Sequence, residues 1–260
     1  MDCKICLSTV TYFATARVLN KYDVQYFKCP HCGFVQTQEP FWLNEAYSEA
    51  IAGSDLGLIR RNIAFSRIAQ ALITVVFDSN AKFIDYGGGY GLFVRLMRDA
   101  GFDYYRLDEL CPNLFARGFD ADGAGRDQYE LLSAFEVFEH LMEPMREIER
   151  MLTFSRNILL STELLPPTQP KPGEWWYYSL EHGQHVSIYS RPSLEVVAEK
   201  FHLKLYSNNS ALHLLTDRNI PSFMLRLLFR SGAAILISSL KSKVSLLPAD
   251  YYRITGKCLE

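Results

Sequence analysis

The sequence predicts an α/β fold, a mostly parallel sheet with helices packed on its faces, preceded by a small cysteine-built module. Three observations lead to that reading. Lys82–Tyr86 is a short apolar run followed by four glycines in five positions, Gly87, Gly88, Gly89 and Gly91. Leu92, Phe93, Leu96 and Met97 then recur at helical spacing, so the run reads strand, tight turn, helix. Further apolar runs alternate with helical patterns to about residue 216, and two Cys-x-x-Cys pairs stand near the N-terminus.

The totals set bounds. With 260 residues there is chain for one sizeable α/β domain and a small appendage. A formal charge of −2 offers no electrostatic case for a nucleic-acid partner. The N-terminus carries cysteines where a secretory leader would carry a basic segment and an apolar run. No apolar stretch reaches the ~20 residues of a spanning helix. Paired cysteines point to metal in a reducing compartment, so the cytoplasm is the expected location.

Residues 1–40 read as a zinc ribbon. Cys3 with Cys6 and Cys29 with Cys32 form two hooks with 22 residues between them, and each hook presents two thiolates to one tetrahedral Zn²⁺. Tyr12–Phe13 and Val24–Phe27 supply short strands between the hooks. Four thiolates saturate the ion, so its role would be structural, and His31 is a bystander inside the second hook. Residues 41–76 follow as a helical linker, two helices split near Gly53–Ser54. Its polar groups Tyr47, Asp55, Arg60, Arg61 and Asn62 suit a lid over a bound cofactor.

Bare backbone beside the amide-rich start of a helix suits a nucleotide-type ligand. Gly87-x-Gly89-x-Gly91 is not the Gly-x-Gly-x-x-Gly of dinucleotide folds. Asp85, two residues before the first glycine, would repel a pyrophosphate but suit a cationic, amino-acid-bearing ligand. The Asp-x-Gly-x-Gly-x-Gly run resembles motif I of class I S-adenosylmethionine (SAM)-dependent methyltransferases. The resemblance implies a Rossmann-like, seven-stranded domain over residues 77–218, with Asp85, Gly87, Gly89 and Gly91 at the methionine part of SAM. A second strand, Tyr104–Leu107, ends at Asp108, where that family carries an acid for the ribose hydroxyls; Glu109 is the rival. Asp120 and Asp122 fall where the family's third strand would lie.

A fourth strand, Tyr129–Ala134, leads into Glu136-Val137-Phe138-Glu139-His140, which with Pro144 resembles the segment after the fourth strand in the same superfamily. The resemblance puts Glu136 beside the cofactor and gives Glu139 and His140 a bracing role. Arg156–Thr162 reads as the fifth strand, and Leu203–Ser207 and Ala211–Thr216 as the closing antiparallel pair.

The acceptor is expected at the loop 163–192. Its core, Trp175, Trp176, Tyr177 and Tyr178 followed by His182 and His185, combines stacking faces with side chains that titrate near neutral pH. Gly-Gln-His185-Val-Ser-Ile-Tyr-Ser resembles the histidine segment of sugar methyltransferases that carry the same ribbon. There a histidine removes the acceptor proton, which makes His185 the expected general base and His182 the second choice. A metal held by His182 and His185 is a third reading, and it lacks a third ligand in the sequence. Residues 219–260 form a C-terminal helical extension. Its stretch 220–247 offers apolar clusters with Arg226, Arg230, Lys241 and Lys243 for packing, for a peripheral membrane contact or for a homodimer face.

The chain is thus similar to bacterial sugar and surface-polysaccharide methyltransferases. The resemblance implies SAM-dependent O-methylation of a sugar or glycan, with SAM as cofactor, zinc as structural ion and a place in polysaccharide biosynthesis. The alternatives are carbon methylation of a nucleotide-linked keto-sugar and a SAM-binding, non-catalytic scaffold subunit. An RNA methyltransferase is disfavoured by the near-neutral charge.

Overall fold

The computed structural model describes residues 1–47, 55–123, 128–240 and 243–259; the expected break at Gly53–Ser54 lies outside them. The chain begins with β1 (Thr11–Val18), β2 (Tyr22–Lys28), β3 (Val35–Thr37), α1 (Leu43–Ala46) and α2 (Leu58–Val76). It continues through β4 (Lys82–Tyr86), α3 (Leu92–Asp99), β5 (Asp103–Leu107), β6 (Leu131–Phe135), α4 (Pro144–Phe154) and β7 (Ile158–Ser161). Then come β8 (Ser187–Ile188), α5 (Arg191–Lys200), β9 (Lys204–Ser207), β10 (Leu212–Thr216), α6 (Ser222–Leu228), α7 (Ser231–Leu240) and α8 (Leu247–Thr255).

Two sheets result, one of order β1-β2-β3-β8 and one of order β5-β4-β6-β7-β10-β9. In the second, β4 runs parallel to both β5 and β6, and β9 and β10 are antiparallel. This is the Rossmann-like α/β sheet that the alternating pattern predicts, because runs such as Ile158–Ser161 are buried on both faces. Among the described residues it has six strands where seven were expected. Around the expected third strand, Asp120 makes a single parallel bridge with Arg106. Gly118 and Gly123, at φ of +82° and +69°, turn the chain out of extended geometry on either side, so no ladder propagates.

The chain divides into two compact units, each discontinuous in sequence. One comprises Met1–Gly53, Phe135–Leu152 and Leu160–Arg218; the other comprises Ser54–Ala134, Thr153–Leu159 and Asn219–Glu260. In the first, β3 pairs on one side with β2 and on the other with β8, where Val35 opposes Ile188 and Gln36 opposes Ser187. The cysteine module therefore shares its sheet with a piece of the loop 163–192. Val24, Tyr26, Trp42, Tyr177, Tyr178 and Ile188 form one buried cluster beneath it. The buried His213 on β10 is a satisfied core histidine, with Ser207 Oγ 2.8 Å from Nδ1 and the Thr162 carbonyl 3.0 Å from Nε2.

In the second unit, Phe83 on β4 stacks on Tyr104 of β5 at 5.1 Å. Helix α2 packs against α3 and α7 through its buried stripe, which includes Ile68, Ala69, Leu72 and Ile73. No single helix among the described residues is long and apolar enough to cross a membrane. Helix α8 is tied in by charge. Arg98 Nε and a terminal nitrogen donate to the two oxygens of Asp250 at 2.8 and 2.7 Å, and both side chains are 5% exposed.

Removing one partner leaves the other buried and uncompensated, although Asp103 at 2.6 Å still engages Arg98. Asp250→Ala should therefore cost about 3 kcal/mol in urea unfolding. A loss no larger than that of a surface pair, about 0.5 kcal/mol, would show that α8 is held by its apolar contacts instead.

Candidate functional site

The second unit carries the glycine turn at the carboxyl end of β4, where the strand order reverses between β5 and β6; ligands of open α/β sheets bind at such points. Gly91 is the residue before α3 and has φ +84°. A Cβ there would stand 2.8 Å from Asn113 Oδ1 and 3.1 Å from the Ala116 backbone nitrogen. Gly89, at φ +53°, donates its amide to Asp108 Oδ2 at 2.9 Å. The Leu110 and Cys111 amides donate to Oδ1 at 2.8 and 2.7 Å. Oδ1 is thus saturated, while Oδ2 keeps one acceptor position open to a ligand hydroxyl.

Asp85 stands beneath the turn, 3% exposed, and accepts from Ser133 Oγ at 2.6 Å. Its Oδ2 lies 2.8 Å from where a Cβ on Gly88 would sit, so acid and glycine are fitted to each other. Burial pushes its carboxyl up to about 7, against the opposing pull of the Ser133 hydrogen bond.

Arg106 is a residue that sequence reasoning missed. It is 3% exposed in mid-strand and donates through Nε to Gly89 O at 2.6 Å and through a terminal nitrogen to Asp120 Oδ1 at 2.7 Å. Another terminal nitrogen donates to the Cys111 carbonyl. One guanidinium thereby fixes the turn, the segment after β5 and Asp120. The available signal was a lone arginine inside the apolar run of β5 with an acid fourteen residues on.

The first unit carries two clusters. In the ribbon, Cys3 and Cys32 Sγ are 3.6 Å apart, Cys6 and Cys29 Sγ are 3.4 Å apart, and all four sulfurs lie within 4.8 Å of one another. Tetrahedral Zn²⁺ with bonds of ~2.3 Å requires sulfurs about 3.8 Å apart. The Ile5 and Cys32 amides point at Cys3 and Cys29 Sγ, each at 3.4 Å, as the amides of a metal knuckle do. The four residues fit a zinc ion.

The second cluster gathers Glu139, His140 and His185, whose ligand atoms all lie within 4.8 Å of one another. A short 3₁₀ turn, Phe138–His140, presents the first two. The Val186 amide donates to the Glu139 carbonyl at 2.9 Å and sets His185 beside them. The His140 and His185 rings meet edge to face at 4.9 Å. His185 Nδ1 is 2.6 Å from the Tyr177 carbonyl oxygen. A carbonyl only accepts, so Nδ1 carries the hydrogen and Nε2 keeps its lone pair. Burial lowers His185 to about 4 and His140 to about 3, so both rings are neutral at pH 7. His182 is not in this cluster.

Of the other sequence candidates, Glu136 has φ +55°, with its amide on Ser161 Oγ at 2.8 Å and its carboxylate accepting from that hydroxyl at 2.6 Å. Such a backbone is held only when its surroundings over-determine it. Trp176 is 73% exposed. Tyr177 and Tyr178 are buried, their hydroxyls engaged with Thr162 Oγ1 at 3.0 Å and the Pro170 carbonyl at 2.9 Å. Trp175 is half-buried against them. Tyr47 meets His140 Nδ1 at 3.0 Å.

A family model described as a methyltransferase domain matches residues 59–208, more than half of the chain. A comparison with curated proteins finds no match. Among solved structures, an O-methyltransferase family 2 protein from Planctomyces limnophilus DSM 3776, in complex with apigenin, is similar at 16% identity and a TM-score of 0.46. The alignment covers 68% of this chain and 65% of that one, so the chain spans just under two thirds of that protein's length. The plantazolicin methyltransferase BpumL in complex with SAH is similar at 12% identity and a TM-score of 0.47, covering 67% of this chain and 93% of that one. CalO1, a methyltransferase in calicheamicin biosynthesis in its SAH-bound form, is similar at 14% identity and 0.43, covering 69% and 60%.

Asp85 yields a pH test. Because its folded pKa is raised from 3.8, the folded chain keeps the proton where the unfolded chain has lost it. Its stabilisation is therefore complete below about pH 4 and is lost as pH rises through 7. Asp85→Asn mimics the protonated form, so wild-type stability relative to this variant should fall by on the order of 2 kcal/mol between pH 5 and 7.5 in urea unfolding without ligand. A difference independent of pH would refute the buried-acid assignment.

Proposed function

We propose that this chain, which belongs to the methyltransferase-domain family, is a SAM-dependent enzyme that methylates an oxygen of a sugar or surface glycan. The observation that carries this reading is the neutral, buried His185, whose Tyr177 contact leaves the Nε2 lone pair available. A sulfonium methyl donor is already activated. The protein needs only to hold a hydroxyl in line and relieve it of its proton. In this reading the acceptor hydroxyl donates to His185 Nε2, and the proton passes there as oxygen attacks the methyl carbon. Trp176 offers an exposed face for a sugar ring; Trp175, Tyr177 and Tyr178 frame it. SAM is assigned to the glycine turn with Gly87, Gly89 and Gly91, with Asp85 beneath it. Its ribose goes to the open position on Asp108, and Glu136 is the remaining cofactor residue of this assignment. A structural zinc is assigned to Cys3, Cys6, Cys29 and Cys32. The exposed Phe223, Leu227 and Leu236 are the proposed face toward a membrane surface or a second copy.

His185→Ala should lower kcat by about 10²–10⁴-fold with the SAM Kd unchanged. Since the base is already neutral, the wild-type rate should stay level from pH 8 to 6 and decline only as pH approaches about 4. SAM binding with no turnover of any sugar acceptor would support a non-catalytic scaffold instead. Asp108→Ala should weaken SAM far more than the acceptor, read by calorimetry; equal losses would move the ribose elsewhere. Elemental analysis should find at least one zinc per chain, and Cys29→Ser should lose one zinc together with several degrees of Tm. A metal-free wild type of unchanged Tm would exclude a structural ion.

A further inference from the structure

We propose that Glu139, His140 and His185 together bind one divalent transition-metal cation, at a site separate from the cysteine cluster. Glu139 is fully buried, and neither carboxylate oxygen has a hydrogen-bond partner at bonding geometry. The hydroxyls of Thr162 and Tyr177 stand beside it and favour its charged form, while their own contact at 3.0 Å uses one of their two hydrogens. Buried carboxylates are paired, hydrogen-bonded or coordinated to metal, and among the described residues this one has no ion-pair partner. The groups around it are two imidazoles, and the hydrogen that His185 Nδ1 turns to the Tyr177 carbonyl leaves its Nε2 with a lone pair.

Both imidazoles are also held as ligating histidines are held. The Tyr177 carbonyl takes the Nδ1 hydrogen of His185, and the Tyr47 hydroxyl meets Nδ1 of His140. Such outer contacts fix the ring and direct Nε2 toward an ion. The backbone bond from Val186 to Glu139 keeps the two segments in register. Two nitrogens and one carboxylate oxygen suit zinc, cobalt, manganese or iron(II) better than calcium or magnesium, which prefer all-oxygen sets. Three protein ligands leave coordination positions for water or for an acceptor oxygen. The third reading of the sequence, a metal held by His182 and His185, lacked a third ligand; in the cluster proposed here Glu139 and His140 stand beside His185.

For its catalytic meaning this inference rests on the acceptor-site reading. An acceptor hydroxyl bound to the cation ionises more readily and releases its proton to solvent. With the cation bound, His185 serves as ligand and the cation takes over the activation of the hydroxyl that the free Nε2 lone pair provides when the site is empty.

The test titrates Co²⁺ into the full chain with the cysteine cluster already loaded with zinc, following visible absorption and calorimetry. One further Co²⁺ per chain is expected, with ligand-field bands and no thiolate charge-transfer band. Glu139→Gln, which keeps the shape of the side chain, and His140→Ala should each weaken that binding by at least tenfold. Both variants should retain the wild-type Tm and SAM affinity, and the control His202→Ala should bind as wild type does. Absence of the second Co²⁺, a thiolate band, or equal binding by Glu139→Gln would each overturn the site. Methyl transfer by chelator-treated protein that binds no Co²⁺ would sink the cation while leaving the transfer reading intact. Co²⁺ binding without transfer to any sugar would keep the cation and sink that reading.

Discussion

Two backbone hydrogen bonds at Val186 set the geometry on which the first unit depends. The Val186 carbonyl accepts from the Thr37 amide at 3.2 Å, and its amide donates to the Glu139 carbonyl at 2.9 Å. One residue thereby joins the end of the cysteine-bearing sheet to the 3₁₀ turn with Glu139 and His140, and His185 is its neighbour in the chain. The Ser187 hydroxyl adds a third tie, donating to the Leu141 carbonyl at 2.7 Å. Strand β3, which carries this load, follows the second cysteine hook directly, with the Cys29 amide on the Phe34 carbonyl at 2.8 Å. An ion in the hooks would stiffen the strand that positions His185. The cysteine-bearing sheet and the segment around His185 are thus one hydrogen-bonded framework.

Two buried acids sit in different environments. Asp85 and Glu139 are both almost fully excluded from water, and burial raises both carboxyls, to about 7 and about 8. Asp85 has a hydroxyl donor, a close-fitting glycine and the charge of Arg106 nearby. Glu139 has the Tyr177 and Thr162 hydroxyls beside it but no cation among the described residues, and a ligand atom of it lies within 4.8 Å of His140 and His185. The first arrangement is complete as it stands; the second calls for something more.

Arg106 plays the corresponding part in the second unit. It donates to the Gly89 carbonyl, and Asp108 accepts from the Gly89 amide, so the glycine between them is held from both sides. A left-handed turn of small residues would otherwise lose much conformational freedom on ordering. Buried charge supplies the order that side-chain packing cannot supply at residues without side chains.

The sequence by itself determined what is local. Period and composition gave the strands around Phe83–Tyr86 and Leu131–Ala134, since a doubly buried strand is a continuous apolar run wherever it stands. The glycine turn, Asp108 and the cysteine hooks were legible because each is a short-range device whose spacing is its mechanism. The third strand misled, since the family pattern carried more weight than the two glycines that break extended geometry there. Only the tertiary structure decided which distant residues meet. Glu139 and His140 read as bracing residues and His182 as the partner of His185, because proximity in sequence was the sole available measure of proximity in space. The return of the chain at Val186, whose amide bonds the Glu139 carbonyl, is what brings His185 beside Glu139 and His140.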